Sequence, residues 1–159
     1  MMREIQADFD RMKNLIDAAN NAPEDVSGDI RSMSYEYICV AIAGRLEQNL
    51  KTVLVTYANN NSNKRIGASI ARLCRHFQNP SKEKILDLIA LFDPVFAEQT
   101  KVEWDEDDSI GNVLSDLIGK RIVIAHQTNN NRDVTRTKVQ GYYRAYTGVI
   151  TKLDAHFLK

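Results

Sequence analysis

Apolar residues recur along the chain at three- and four-residue intervals, the period of one face of a helix. Ile5, Phe9, Met12, Ile16 and Ala19 predict an amphipathic helix over about residues 2–20. The string NNAPEDVSGD, with Asn, Pro and Gly, breaks it. From Ile30 to Tyr57 apolar residues fall on more than one side, including Ile38, Ile42, Leu46, Leu50 and Leu54, which predicts a central helix. ANNNSNK (58–64) reads as a loop. Ile66, Ile70, Leu73 and Phe77 restore helical spacing up to Asn79-Pro80, and Ser81 caps a further helix carrying Ile85, Leu88, Ile89 and Phe92. Asp93-Pro94 interrupts that pattern, and Val95, Phe96 and Trp104 are expected to pack a connecting segment. The acidic run EWDEDDS ends in Ser109, read as an N-cap with acids near the positive end of a helix dipole. Ile110, Val113, Leu114, Leu117 and Ile118 form the next stripe, and QTNNNRDVT (127–135) a polar loop. A last helix carries Val139, Tyr142, Tyr143, Tyr146, Val149, Ile150, Leu153 and Phe157. No strand-like alternation and no internal repeat is visible. The expectation is an all-α bundle of about five or six helices with short links, in one domain spanning 1–159. Residues 1–29 are left as either part of its core or an appended arm.

Composition narrows the class. Hydrophobic residues at 43% and charged residues at 26% exclude a disordered chain, a collagen-like chain and a disulfide-rich miniprotein. No apolar run nears the roughly 18 residues of a membrane span, so no membrane association is expected. The opening MMREIQADFDRMK lacks the apolar stretch of a secretory signal, and the expected location is the cytoplasm. Cys39 and Cys74 have neither CxxC spacing nor a nearby His pair, and read as two buried thiols in a reducing compartment. No metal site and no cofactor are expected. The net charge is zero, yet its distribution is uneven. Residues 63–78 hold four basic residues and no acid, residues 82–108 three lysines against nine acids, and residues 120–152 seven basic residues against Asp133. Such basic blocks suit a polyanion, and they equally suit solvated helix faces.

Arg121 changes the picture. It falls four residues after Leu117 and continues an apolar stripe, and a charge on a buried face is costly without a partner. His126 follows five residues later, in GKRIVIAHQ. Imidazole titrates near neutrality and can take the proton of a ribose 2′-hydroxyl or protonate a leaving oxygen. A guanidinium is permanently charged and forks onto phosphate oxygens. The pair therefore has the chemistry of RNA cleavage, with the ribose as its own nucleophile. On a straight helix the two side chains lie about 140° apart. They converge only at a frayed or kinked helix end, or where two copies meet across a symmetric interface.

The string also resembles the signature of HEPN domains, Arg-Asn-x-Ile-Ala-His-Gly, with matches at Arg121, Ile124, Ala125 and His126. The central helix, FDP (92–94), the apolar helix entering Arg121 and the Tyr142-Tyr143 pair fit the RiboL-PSP-HEPN-like branch over roughly residues 30–158. Ile122 stands where the signature has Asn, and Gln127 where it has Gly. The resemblance implies a four- or five-helix bundle that dimerises so that two Arg-x4-His motifs line one cleft. It implies a metal-independent endoribonuclease of toxin–antitoxin or anti-phage systems, with RNA as substrate and an antitoxin or defence protein as a possible partner. It further implies that Glu47, in RLEQNL on the central helix, pairs with Arg121. Lys120, Arg132, Arg136, Lys138 and Arg144 are candidates to guide a phosphate backbone, with Tyr143 stacking on a base. His76, beside Arg72 and Arg75, reads as a surface or RNA-contacting group. His156 reads as solvent-exposed, and Tyr142, Tyr143 and Tyr146 fall at core spacing, from which one hydroxyl could reach the cleft. A reading from another class remains beside this one: a non-catalytic helical dimer that binds RNA, a nucleotide or a partner protein, with Ile122 as its main support. A third makes the chain the neutralising partner of a toxin.

Overall fold

Short polar side chains set the helix starts. Ser27 Oγ accepts from the Ile30 N–H (3.4 Å), and Asn63 Oδ1 from the N–H groups of Arg65 and Ile66 (3.0 and 3.1 Å). Ser81 Oγ accepts from Lys84 N–H (3.4 Å), Asp93 Oδ1 from Phe96 N–H (2.9 Å) and Thr135 Oγ1 from Lys138 N–H (3.3 Å). Each satisfies a donor that a first helical turn leaves without a partner. A computed structural model describes residues 1–23, 25–106, 108–126 and 133–159, with the side chains of 108 and 109 undescribed. Among the described residues there are seven helices and no strand: α1 (Arg3–Asn20), α2 (Gly28–Asn61), α3 (Lys64–Arg75), α4 (Lys82–Ala90), α5 (Pro94–Glu106), α6 (Asp108–His126) and α7 (Arg136–Phe157). None is long and apolar enough to cross a membrane.

Three differences from the sequence reading appear, and the first two have visible physical causes. The segment 94–106 is itself a helix. Pro94 occupies the first helical position, where its missing N–H costs nothing. Phe96, Ala97, Thr100 and Trp104 form the buried stripe. Thr100, fully buried, interrupts the apolar pattern and hides the period. The loop expected at 58–64 shrinks to Ser62–Asn63, because α2 continues through Asn61. The Asn61 amide and the Ser62 hydroxyl donate to the carbonyls of Tyr57 (2.9 Å) and Ala58 (2.6 Å), so these polar residues fold back onto the helix end. Finally, α6 begins at Asp108, which places Ser109 inside the helix and not at its N-cap.

The core lies around α2, which packs against α1, α3, α6 and α7. Leu46, Leu50, Val53 and Leu54 of α2 are fully buried, as are Leu114 and Leu117 of α6 and Val139 and Tyr146 of α7. Helix α1 is part of this core: Ile5, Phe9, Met12 and Ile16 are buried, and Phe9 meets Tyr146 edge-on at 5.0 Å. It runs antiparallel to α2, since Asp8 pairs with Arg45 (3.2 Å) and Asn20 accepts from the Tyr35 hydroxyl (3.1 Å). At the far end of α2, Tyr57 and Phe157 meet at 4.9 Å, with Phe92 and Phe96 completing an aromatic cluster. Both cysteines are buried free thiols, and burial pushes Cys39 up to about 12.

Inside the core Asn49 donates its amide to the Tyr146 hydroxyl at 2.7 Å, joining α2 to α7. Asn49 is only 3% exposed, so water cannot replace that oxygen. Tyr146→Phe is expected to lower unfolding free energy by about 1–3 kcal/mol, the cost of a buried donor without its acceptor. Urea denaturation followed by circular dichroism checks this; a midpoint equal to the wild type contradicts it.

Candidate functional site

Helix α6 carries Leu114, Leu117 and Ile118 into the core, and Arg121 is the next residue on the same stripe. The stripe reaches the edge of the core there, leaving the Arg121 side chain 27% exposed. Glu47 meets it from α2, where it lies beside the fully buried Leu46, and its side chain is 16% exposed. Glu47 Oε2 lies 3.4 Å from Arg121 Nη1. The pairing expected for Glu47 is therefore present, and it answers the desolvation of a cation on an apolar face.

Two further groups join the cluster. Lys51, one turn after Glu47 on α2, donates to Glu47 Oε1 at 3.0 Å. Asn79, in the turn between α3 and α4, touches both members of the pair. Its backbone N–H donates to Glu47 Oε2 at 3.3 Å, and its side-chain Oδ1 accepts from Arg121 Nη1 at 2.5 Å. Its φ of +53° is left-handed, the only such non-glycine among the described residues. Pro80 disfavours the right-handed helical region for the residue before it, and Asn tolerates the left-handed one. The carbonyl of Asn79 then accepts from Ser81 N–H (2.8 Å), which passes the turn into the cap of α4. Two cations and one carboxylate leave the cluster with a formal charge of +1. In the sequence Asn79-Pro80 reads only as a helix stop. Its signal was the Asn-Pro pair itself, because Asn is among the few side chains that occupy a left-handed position readily. Lys51 was visible as an i,i+4 partner of Glu47.

His126 is the last residue of α6 and is exposed. The helix runs unbroken from Arg121 to His126, so within one chain their side chains stay about 140° apart. Arg121 turns into the bundle edge and His126 lies at the helix end.

The remaining candidates are dispersed. Lys138 contacts the Asp133 carbonyl and carboxylate (3.1 and 3.4 Å) and approaches Asp116 (3.8 Å). Asp116 also accepts from the Tyr142 hydroxyl at 2.5 Å, and burial, with Asp116 beside it, pushes that phenol's pKa upward. Tyr143 is half-buried and donates to the carbonyl of Phe9, so its ring lies against α1. Arg144 is exposed, with Nε 3.4 Å from the Gln140 carbonyl, and Arg136 is exposed at the start of α7. Lys120 is half-buried on α6. Arg132, Gln127 and 129–131 lie outside the described residues. His76 is exposed at the C-cap of α3. His156 is exposed as expected, yet engaged: it stacks on Phe96 at 3.6 Å and its Nε2 lies 3.0 Å from Asp93 Oδ2. That contact and the Phe96 N–H hold the Asp93 carboxyl below the usual range, the N–H contributing most. The structure thus brings together Arg121, Glu47, Asn79 and Lys51, and gathers Lys138, Tyr142 and Asp116 separately.

No family model matches the chain, and no curated protein or solved structure is found to match it.

The geometry separates the two motif residues by their effect on stability. Arg121→Ala removes a half-buried cation from a carboxylate and an amide, and is expected to cost about 1–3 kcal/mol. His126→Ala, at an exposed helix end, is expected to stay within about 0.5 kcal/mol of the wild type. Parallel urea titrations read both. Equal losses, or none at Arg121, contradict this arrangement.

Proposed function

We propose that the chain is a metal-independent endoribonuclease of the HEPN type, acting as a homodimer. The observation that carries this reading is the holding of Arg121. The Arg of an Arg-x4-His string is kept at the bundle edge by a carboxylate of the central helix, as the resemblance implies. Arg121 then binds the scissile phosphate and stabilises its developing charge. His126 is the general acid/base: it takes the 2′-hydroxyl proton as O2′ attacks phosphorus, and a proton is returned to O5′ as the P–O5′ bond breaks. The products carry a 2′,3′-cyclic phosphate and a 5′-hydroxyl. Glu47 orients Arg121. The 140° separation within one chain supports assembly of the site from two copies, since a second chain can set a His beside this Arg. A cytoplasmic toxin or phage-defence effector, kept in check by an antitoxin or a partner of the same system, is the role this chemistry fits.

One observation favours a second reading. Ile122, in place of the motif Asn, is 41% exposed beside Arg121, and the Arg121 charge is already matched by Glu47. A non-catalytic helical dimer that binds RNA, a nucleotide or a protein is consistent with an Arg in a structural pair.

The test is incubation with RNA in EDTA beside His126→Ala, with mapping of fragment ends. The nuclease reading expects cyclic-phosphate ends from the wild type and a loss of about 10²–10⁴-fold in the variant. Equal cleavage by both proteins overturns the role of His126, and cleavage by neither transfers the assignment to the binding dimer.

A further inference from the structure

We propose that Asn79 is a positioning residue that fixes the guanidinium of Arg121 for a phosphodiester, an inference that rests on reading Arg121 as a phosphate ligand. Three properties of the residue are used together. It holds a left-handed turn, it accepts from Arg121 Nη1, and it carries no charge. Glycine fits the backbone there and offers no acceptor. Aspartate fits the backbone and accepts, but a second carboxylate cancels the +1 charge of the Lys51–Glu47–Arg121 cluster. Asparagine meets all three requirements.

The contacts are also one-sided. Glu47 and Asn79 both engage Arg121 at Nη1. The edge formed by Nε and Nη2, which can grip two oxygens of a phosphate at once, takes no part in them. Glu47 is itself tied to the turn by the Asn79 N–H, so carboxylate, amide and guanidinium form a closed ring of contacts across α2, the α3–α4 turn and α6. Rotation of the guanidinium breaks two of them. A phosphate group therefore meets a cation whose orientation is already fixed, which lowers the ordering cost of binding. The substrate class is a phosphodiester held by two oxygens, and Asn79 acts on it only through Arg121.

The experiment compares the full-length wild type, Asn79→Gly and Asn79→Asp. It measures steady-state cleavage of an RNA oligonucleotide and the affinity for the same sequence with 2′-deoxyribose throughout, which has no nucleophile. Asn79→Gly keeps the turn and the N–H to Glu47 while losing the acceptor. Its kcat is expected to fall about tenfold and its Kd for the deoxy oligonucleotide to rise about threefold, with the thermal midpoint within a few degrees. Asn79→Asp keeps the acceptor and removes the net charge. Its kcat is expected to stay near wild type while KM and the Kd for the deoxy oligonucleotide rise about tenfold. A purely structural Asn79 shifts the melting temperature without this split. Wild-type kcat, KM and Kd in both variants overturn the proposal. Should Asn79→Gly fail to fold, Asn79→Ala, which also lacks the acceptor, takes its place below its melting temperature with the same expected changes. His126→Ala is run beside them, so that failure of the nuclease reading is seen separately. In that case the binding arm decides: a weaker Kd in Asn79→Gly supports the proposal, and an unchanged Kd there, or a wild type that binds no oligonucleotide, overturns it.

Discussion

A single carboxylate, Glu47, joins three parts of the molecule that are distant in sequence. It lies on the central helix, receives the backbone of the α3–α4 turn and faces the cation at the edge of α6. The attraction of opposite charges at this distance is about 4 kcal/mol at an effective dielectric near 20, and desolvation of both groups offsets much of it. What remains is directional. The Glu47 carboxylate takes contacts from Lys51, Asn79 and Arg121, and removal of any one leaves the others imperfectly matched. The stability of this corner and the orientation of Arg121 are thus one property.

The same economy appears elsewhere in the bundle. Asn49 and Tyr146 spend one buried hydrogen bond to align α2 with α7. Asp116 receives both Tyr142 and Lys138 where α6 meets α7. Asp93 caps α5 and meets His156 near the end of α7. Apolar faces supply most of the burial, and each polar contact fixes how two helices face one another.

Most of the helices were legible because burial imposes a 3.6-residue period on the apolar positions. Where the period was masked, the reading failed. Thr100 sits fully buried in the α5 stripe, and its hydroxyl hides the helix from a hydrophobic pattern. The Asn-rich end of α2 looks like a loop by composition, yet its last amide and hydroxyl are spent on helix carbonyls. In the site, Arg121 announced itself as a charge on an apolar stripe, and its need for a partner led to Glu47. Asn79 was not legible as part of the site, because its role arises from a turn that brings positions 47, 79 and 121 together. The five-residue spacing already sets Arg121 and His126 about 140° apart on a straight helix. The structure adds that α6 runs through both residues. Charge and residue type mark Lys138 and Tyr143 in the sequence, and their places are set by Asp116, Asp133 and the carbonyl of Phe9.

The measurement closest to the centre of this account is a double-mutant cycle between Glu47 and Arg121. Unfolding free energies of the wild type, Glu47→Gln, Arg121→Gln and the double variant would be taken from urea titrations at one pH and salt. A half-buried, oriented pair predicts a coupling of about 1–3 kcal/mol, little changed between low and high salt. A coupling within about 0.3 kcal/mol of zero, or one abolished by salt, would mean an ordinary surface ion pair. Arg121 would then not be held by the bundle, and the account of the site would be contradicted.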